Sequence, residues 1–494
     1  MYKAYITTLK NVRKHPNADR LLLAEVFGNT VCVSTDYVEG QIGIYFPTDG
    51  QLSVEFAEHN NLLRKKDAEG NNIGGYMDPD KRNVIAIRLR GEKSDGLFLP
   101  LSALDYCFKD GALAHLKPGD VIDSLVNGHE ICTKYIPRTN TRRGHVTEGN
   151  HTRKKKVATA PLFKEHADTE QLAYNLAAFK VGDEIEITLK MHGTSQRTGY
   201  LPVLQGYADT WPCRVGNAFR HIMRKMGCYH GEDVHDGEPI YDYGYVSGTR
   251  RVVLENYEGG FYGDNQFREQ HSKIFEGKLW KGETVYYEVV GFTTSGAPIM
   301  SSASNSKLND KEFIKQYGKE TVFSYGCTPD ATTTKLMYEF GRSAIEVTDV
   351  NDKQSDIYVY RMTMTNPDGE VVEYTPDFMR YRCEQMAVKT VLVFGRAIIS
   401  PDRVHFLCPS GDDHDYRITN GNIGEAIMKV AEEFYDGPDP IGKTHVREGV
   451  VVRIVNRPKF AAYKHKNFAF KCLEGIIKAE AAAPDMEEAQ EVTE

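Results

Sequence analysis

The chain has 494 residues, with 61 Lys plus Arg against 69 Asp plus Glu, a formal net charge of −8 and 40% hydrophobic residues. It holds no run of about 18 apolar residues, which argues against a helical membrane span, and its first residues lack the apolar core of a secretory signal. The length suggests two to four domains at roughly 100–200 residues each. Net acidity argues against a nucleic-acid partner until the position of the charge is considered.

Residues 1–135 read as short strands separated by turns. Leu21–Val26 and residues 31–34 flank Gly28-Asn29, a hairpin signal. Residues 84–90 are β-rich, and Gly96-Leu97-Phe98-Leu99-Pro100 follows after a turn. So many short strands predict a small all-β barrel. Periodicity is lost over 136–160, where Arg138, Arg142, Arg143, Arg153, Lys154, Lys155 and Lys156 face the single acid Glu148, a balance of +6. Such a stretch reads both as a solvated linker and as a strap that tracks phosphates.

Residues 161–478 alternate β-rich runs with helical pattern, an α+β domain. Helices are predicted over 378–391 and 423–435. Residues 479–494 carry Glu480, Asp485, Glu487, Glu488, Glu491 and Glu494 and no base, and are expected to form an acidic disordered tail. These six acids carry most of the −8 and leave −2 for residues 1–478. The nine cysteines are scattered with no C-x-x-C pair, so free thiols in a reducing cytoplasm are expected rather than disulfides or a zinc site.

Ile185, Ile187 and Leu189 alternate with Glu184, Glu186, Thr188 and Lys190, the period of a half-buried strand. Lys190 ends it and is followed by Met191-His192-Gly193-Thr194-Ser195. Further along, Ser247-Gly248-Thr249-Arg250-Arg251 occupies a turn. Glu288 stands in the apolar run Val285–Gly291 numbered 285–291, and Glu448 precedes Gly449-Val450-Val451-Val452. An ionised Glu in an apolar strand is costly unless it is paired or bound to metal, so two of them point to a shared polar cleft. Lys464 and Lys466 alternate on one strand face, a cation pair suited to a phosphate.

The ordered set K-x-H-G-T-S, T-R, E-V-V-G, Y-x-Y, E-G-V-V-V-R and K-x-K, from Lys190 to Lys466, resembles the covalent lysyl-nucleotidyltransferases: the ATP-dependent polynucleotide ligases and the mRNA capping enzymes. The resemblance implies an ATP-grasp-like nucleotidyltransferase domain built on antiparallel sheets. It implies that Lys190 attacks the ATP α-phosphate and forms lysyl-AMP, with His192 in the same motif. Lys464 and Lys466 would contact the α-phosphate. Arg250 and Glu288 would meet the nucleotide, and Glu448 with Glu288 a divalent metal, Mg²⁺ or Mn²⁺. Tyr360 would stack on adenine, with Tyr358 as the competing assignment. The attack needs a neutral lysine amine, which neighbouring cations favour.

His192 replaces the Asp of the commoner K-x-D-G and resembles the phage nick-sealing and RNA-editing ligases. Only 28 residues follow Lys466, too few for the C-terminal OB domain of DNA ligases and capping enzymes. The barrel-like module lies at the N-terminus instead, where His15-Pro16-Asn17-Ala18-Asp19-Arg20-Leu21 is similar to OB-type tRNA-binding modules. Ile87-Arg88-Leu89-Arg90-Gly91 and Ser94-Asp95-Gly96 are also similar to RNA ligases with an N-terminal OB module. The expected protein is therefore an ATP-dependent RNA ligase of the phage or bacterial type, cytoplasmic and monomeric, acting in RNA repair. It would join RNA 5′-phosphate and 3′-hydroxyl ends. The alternatives are a DNA ligase or capping-type transferase, and a non-catalytic RNA-binding protein. Two further points stay open: Lys471 as the end of the last motif, and the excursion 206–245, with Arg214, Arg220, Arg224 and Lys225 beside Trp211 and Phe219, as an RNA contact or a solvated helix.

Overall fold

The computed structural model describes residues 2–66, 68–69, 72–108, 112–135, 158–166, 169–254, 257, 265–291, 293–294, 299, 302–303, 315, 323–324, 355–411, 413–441 and 446–479. The basic stretch read at 138–156 and the acids from Glu480 onward lie outside the described residues. No helix among the described residues is long and apolar enough to cross a membrane. The eight described cysteines are free thiols.

Two antiparallel sheets form the larger part of the chain. The first has seven strands in the order Glu170–Gln171, Ala461–Lys466, Gly449–Ile454, Glu184–Leu189, Val393–Ile399, Arg403–Leu407 and His414–Arg417. All its pairs are antiparallel except the first, which is parallel. The second has five: Pro239–Gly248, Thr194–Tyr207, Glu283–Gly291, Ser355–Thr365 and Val371–Glu373. The period-2 pattern builds both cores. Ile185, Ile187, Val450 and Val452 pack on Ile427 and Val430 of the helix Ile423–Phe434. Val285, Tyr287, Val289, Ile357 and Val359 meet Met379, Cys383 and Met386 of the helix Pro376–Met386. Residues 190–193 carry the chain from one sheet to the other.

The strand face that carries Glu184, Glu186, Thr188 and Lys190 is less solvated than its composition suggests. Glu186 is buried, and Arg380 grips it through both carboxylate oxygens at 3.1 and 2.8 Å while Arg396 adds 3.0 Å. The helix supplying Arg380 was expected over 378–391. It ends at Met386, because Ala387 turns into the left-handed region at φ +56° and its N–H closes the last turn. Thr375 and Pro376 start it, the Thr375 side chain accepting from the Phe378 N–H.

The N-terminal part is β-rich, with a four-stranded sheet (Leu97–Pro100, Ile42–Phe46, Ala4–Thr8, Val121–Ile122), a three-stranded sheet (Lys10–Lys14, Leu21–Val26, Asn29–Ser34) and shorter pairs. The pairings among the described residues do not close into a barrel. The first hairpin turns one residue earlier than expected. Val26 pairs with Asn29, so Phe27 and Gly28 make the turn at φ +51° and +78°. Phe27 holds this unfavourable conformation with its ring against Tyr5, Tyr45 and Tyr174. A second hairpin, Ala86–Leu89 with Glu92–Asp95, turns at Arg90-Gly91 and inserts a strand where only a turn was expected.

An element absent from the sequence reading is the helix Phe468–Ala479. Asn467 starts it, its side chain accepting from the Ala469 N–H at 2.7 Å. Phe468 and Cys472 pack on Ala86, and Lys471 Nζ lies 2.7 Å from Asp95 Oδ2. This helix therefore ties the N-terminal part to the seven-stranded sheet.

Arg382 and Glu283 make a buried pair, with Nη2 to Oε2 at 2.7 Å and Nε to Oε1 at 2.8 Å, under the face of Trp280. Removing one partner leaves the other buried and unpaired. Glu283→Ala is expected to lower the unfolding free energy by about 3–5 kcal/mol in urea titrations; a loss below about 1 kcal/mol would contradict this account of the packing.

Candidate active site

Register brings the lysines together. Gly449 pairs with Lys466 and its carbonyl accepts from the Lys190 N–H at 3.0 Å; two rungs on, Val451 pairs with both Thr188 and Lys464. Lys190, Lys464 and Lys466 therefore share one sheet face across three neighbouring strands. Two glycines permit the close approach. A Cβ on Gly449, at φ +147°, would lie 2.1 Å from the His465 carbonyl, and one on Gly193 would lie 2.2 Å from the Val289 carbonyl.

Glu448 is the centre of this group and is only 2% exposed. Its Oε1 lies 2.7 Å from Lys190 Nζ and 3.5 Å from Lys466 Nζ, and its Oε2 lies 2.9 Å from His192 Nδ1. Burial alone would push the Glu448 carboxyl up; Lys190, His192 and Lys466 together hold it well below the usual carboxylate range. Burial drives the His192 ring the other way, below its ordinary value, against the pull of Glu448. The ionised carboxylate of Glu448 can only accept, so the 2.9 Å contact requires a proton on His192 Nδ1. The His192 ring also meets Phe470 edge-on at 4.8 Å. Lys466 has a second carboxylate partner, Glu474 Oε1 at 2.6 Å, from the helix Phe468–Ala479.

The other expected residues stand around this centre rather than in it. Lys464 is half-buried two rungs away. Glu288, half-buried, pairs with Ser195 and Tyr358 in the five-stranded sheet. The ladder bulges beside it, since Tyr286 pairs with Arg361 and Tyr287 with Val359, so Tyr360 is the extra residue. Tyr360 is half-buried and its hydroxyl is 2.9 Å from Ser195 Oγ, while Tyr358 is buried with Leu189, Met191, Val290 and Val391. Arg250 stands beyond the end of the strand Pro239–Gly248; its carbonyl accepts from the His166 N–H at 3.0 Å and from Arg197. Lys471, the alternative end of the last motif, is engaged by Asp95 instead.

Two polar supports escaped the sequence reading. Glu474 lies within the expected domain 161–478, with no role expected for it there. Arg268, fully buried, donates to Thr194 Oγ1 at 2.7 Å and to the Ser195 carbonyl at 3.2 Å, fixing the chain just after the Lys190 turn. An isolated Arg in Gln266–Lys273 carries no sequence signal for that role.

The fold is shared with solved structures of Naegleria gruberi RNA ligase. A mutant of that ligase in its apo form has a TM-score of 0.51 and 17% identity, over 95% of this chain and 96% of the other. A mutant with ATP and Mn has a TM-score of 0.50 and 16% identity, over 97% and 99%. The ligase with PPi has a TM-score of 0.50 and 17% identity, over 96% and 98%. At these identities the likeness establishes the fold. No family model matches the chain, and no curated protein does.

His465, between the two lysines, points to the opposite face. It is 6% exposed and its ring stacks on Tyr435 at 4.8 Å. Burial, with Lys471 adding to it, pushes its pKa down to about 3. Between about pH 6.5 and 3 the unfolded chain therefore binds the proton and the folded chain does not, so stability falls with pH. Going from pH 7 to pH 5 is expected to cost about 2 kcal/mol through His465. In urea titrations at the two pH values, His465→Gln should lose that much less stability than the wild type; an unchanged pH dependence would refute the role assigned to burial.

Proposed function

We propose that the protein is an ATP-dependent RNA ligase that joins 5′-phosphate and 3′-hydroxyl RNA ends through a lysyl-AMP formed on Lys190. The observation that carries this reading is the Lys190 amine held 2.7 Å from a buried, ionised Glu448, with Lys466 and His192 on the same carboxylate. The carboxylate alone favours the protonated amine, as in any buried ion pair; what supports a nucleophile is that Lys464 and Lys466 stand on the same face, cations suited to a triphosphate. The Naegleria gruberi RNA ligase that shares the fold has been solved with ATP and Mn and with PPi, which supports the same nucleotide chemistry here.

In the first step Lys190 Nζ, after losing a proton, forms a bond to the α-phosphorus; the bond from that phosphorus to the bridging oxygen breaks and pyrophosphate leaves. Lys466 and Lys464, on the same face, stabilise the charge that builds on the α-phosphate. In the second step an oxygen of the RNA 5′-phosphate displaces Lys190 and takes the AMP. In the third the 3′-hydroxyl attacks the 5′-phosphate and AMP leaves. His192 keeps the Glu448 carboxylate oriented throughout. Tyr360 supplies a ring for adenine, and Arg250 and Glu288 are assigned to the nucleotide.

A buried ionised carboxylate suits a hard divalent cation, Mg²⁺ or Mn²⁺. Among the described residues no group of three His, Cys, Asp or Glu donors clusters here, so water and phosphate oxygens would complete the shell held by Glu448 and Glu288. When bound, the ion supplies charge neutralisation on the triphosphate. Residues 1–135 are assigned as an OB-like RNA-binding module, 136–160 as a basic linker, 161–478 as the adenylyltransferase domain, and 479–494 as an acidic tail. This arrangement belongs to the ligase branch with an N-terminal OB module.

With ATP labelled at the α-phosphate and Mg²⁺ or Mn²⁺, the wild-type chain is expected to take up label and Lys190→Ala none. Lys466→Ala is expected to slow uptake about 100-fold or more. Labelling that survives in Lys190→Ala refutes the assignment. Sealing of RNA but not of DNA 3′-ends separates this reading from a DNA ligase.

A further inference from the structure

The helix Trp211–Lys225 is built inside out. It leaves the five-stranded sheet after Tyr207 and returns at Pro239, and none of its residues is buried. Its polar side packs on the loop that follows: Cys213 Sγ and Asn217 Nδ2 donate to the Val234 carbonyl at 2.9 and 2.6 Å, and Arg224 pairs with Asp233. Its apolar side faces solvent. Trp211 is 77% exposed, Phe219 62%, Met226 60%, Ile222 54% and Val215 49%. At 3.6 residues per turn these five side chains fall within about 80° of the helix circumference. A stripe of that size on a soluble surface marks a contact site.

The charge of the helix selects the occupant. It carries Arg214, Arg220, Arg224 and Lys225 and no acid. Arg214 and Lys225 flank one edge of the stripe, and both are exposed. A second copy would bring Arg214 and Lys225 against the same two cations with no acid on the helix to meet them, so the stripe is not suited to pairing with itself. Trp211 and Phe219, two turns apart by about 12 Å, add flat rings beside cations. A single-stranded nucleic acid carries both complements in one molecule, bases to stack on the rings and phosphates for the cations.

We propose that this helix face is a remote grip for the single-stranded RNA substrate. The proposal rests on the RNA-ligase reading of the Lys190 site. The 14-residue strand Thr194–Tyr207 separates the two, placing the helix about 40 Å from Thr194. The grip therefore acts only on RNA long enough to span that distance.

The test measures binding of 5′-phosphorylated single-stranded RNAs of about 30 and about 6 nucleotides to the full chain, with a salt series. Trp211→Ala/Phe219→Ala and Arg214→Ala/Lys225→Ala are each expected to weaken binding of the long RNA about tenfold. Neither is expected to change binding of the short RNA, AMP uptake or the urea midpoint. The second variant should also lower the slope of log affinity against log salt by about 1.4, while the first leaves it unchanged.

Long-RNA affinity unchanged in both variants overturns the proposal, as does an equal loss for the short RNA. Loss of self-association, or of binding to phosphatidylserine vesicles, with RNA affinity intact would assign the stripe to a second copy or a membrane surface and overturn it too. AMP uptake with unaltered RNA binding sinks the grip and leaves the ligase reading standing. A wild-type chain that neither takes up AMP nor binds the long RNA sinks both.

Discussion

The buried carboxylate of Glu448 is the interaction on which the rest of the site depends. Two lysine amines and an imidazole converge on it from two parts of the chain: Lys190 and His192 in the crossing 190–193, and Lys466 at the end of the strand Ala461–Lys466. Without these partners an ionised carboxylate at that depth would be prohibitively costly. Without the carboxylate, three nitrogen groups would crowd one another with no anion between them. The cluster therefore holds as a unit, and it sets where the Lys190 amine stands.

The fold supplies that convergence through sheet register. Leu189 pairs with Val450 and Gly449 with Lys466, so a slip of one residue in either pair would turn the lysines away from the shared face. The crossing at 190–193 then hands the chain to the second sheet, where Arg268 fixes Thr194 and Ser195. The helix Phe468–Ala479 closes the arrangement from the far side, with Glu474 on Lys466, Lys471 on Asp95 and Phe470 against His192.

Much of this was legible in the residues, because period-2 alternation reports strand faces directly. The strand before Lys190, the pairing of Lys464 with Lys466 on one face, and the need of Glu448 for partners all followed from it. What alternation does not report is which strands lie side by side, so the meeting of Glu448 with Lys190 and His192 emerged only with the register. Glu186 looked solvated for the same reason: its cover comes from Arg380, distant in sequence. The turn at Phe27-Gly28 was misplaced because a Phe in the left-handed region is held there by tertiary ring contacts rather than by local preference. Lys471 and Lys466 both fit a terminal lysine motif, and the structure pairs Lys471 with Asp95 and Lys466 with Glu448 and Glu474.

The net charge of −8 concealed this chemistry, since the cations that matter are few and placed by folding. The central claim is that the Glu448 cluster makes Lys190, and no other lysine of that face, the nucleophile. Incubating the full chain with ATP and Mg²⁺ or Mn²⁺ and mapping the product by peptide mass spectrometry tests it most directly. The account predicts an AMP adduct on the peptide carrying Lys190, with Lys464, Lys466 and Lys471 unmodified. An adduct on any of those three, or an unmodified Lys190 in a chain that seals RNA, would contradict it.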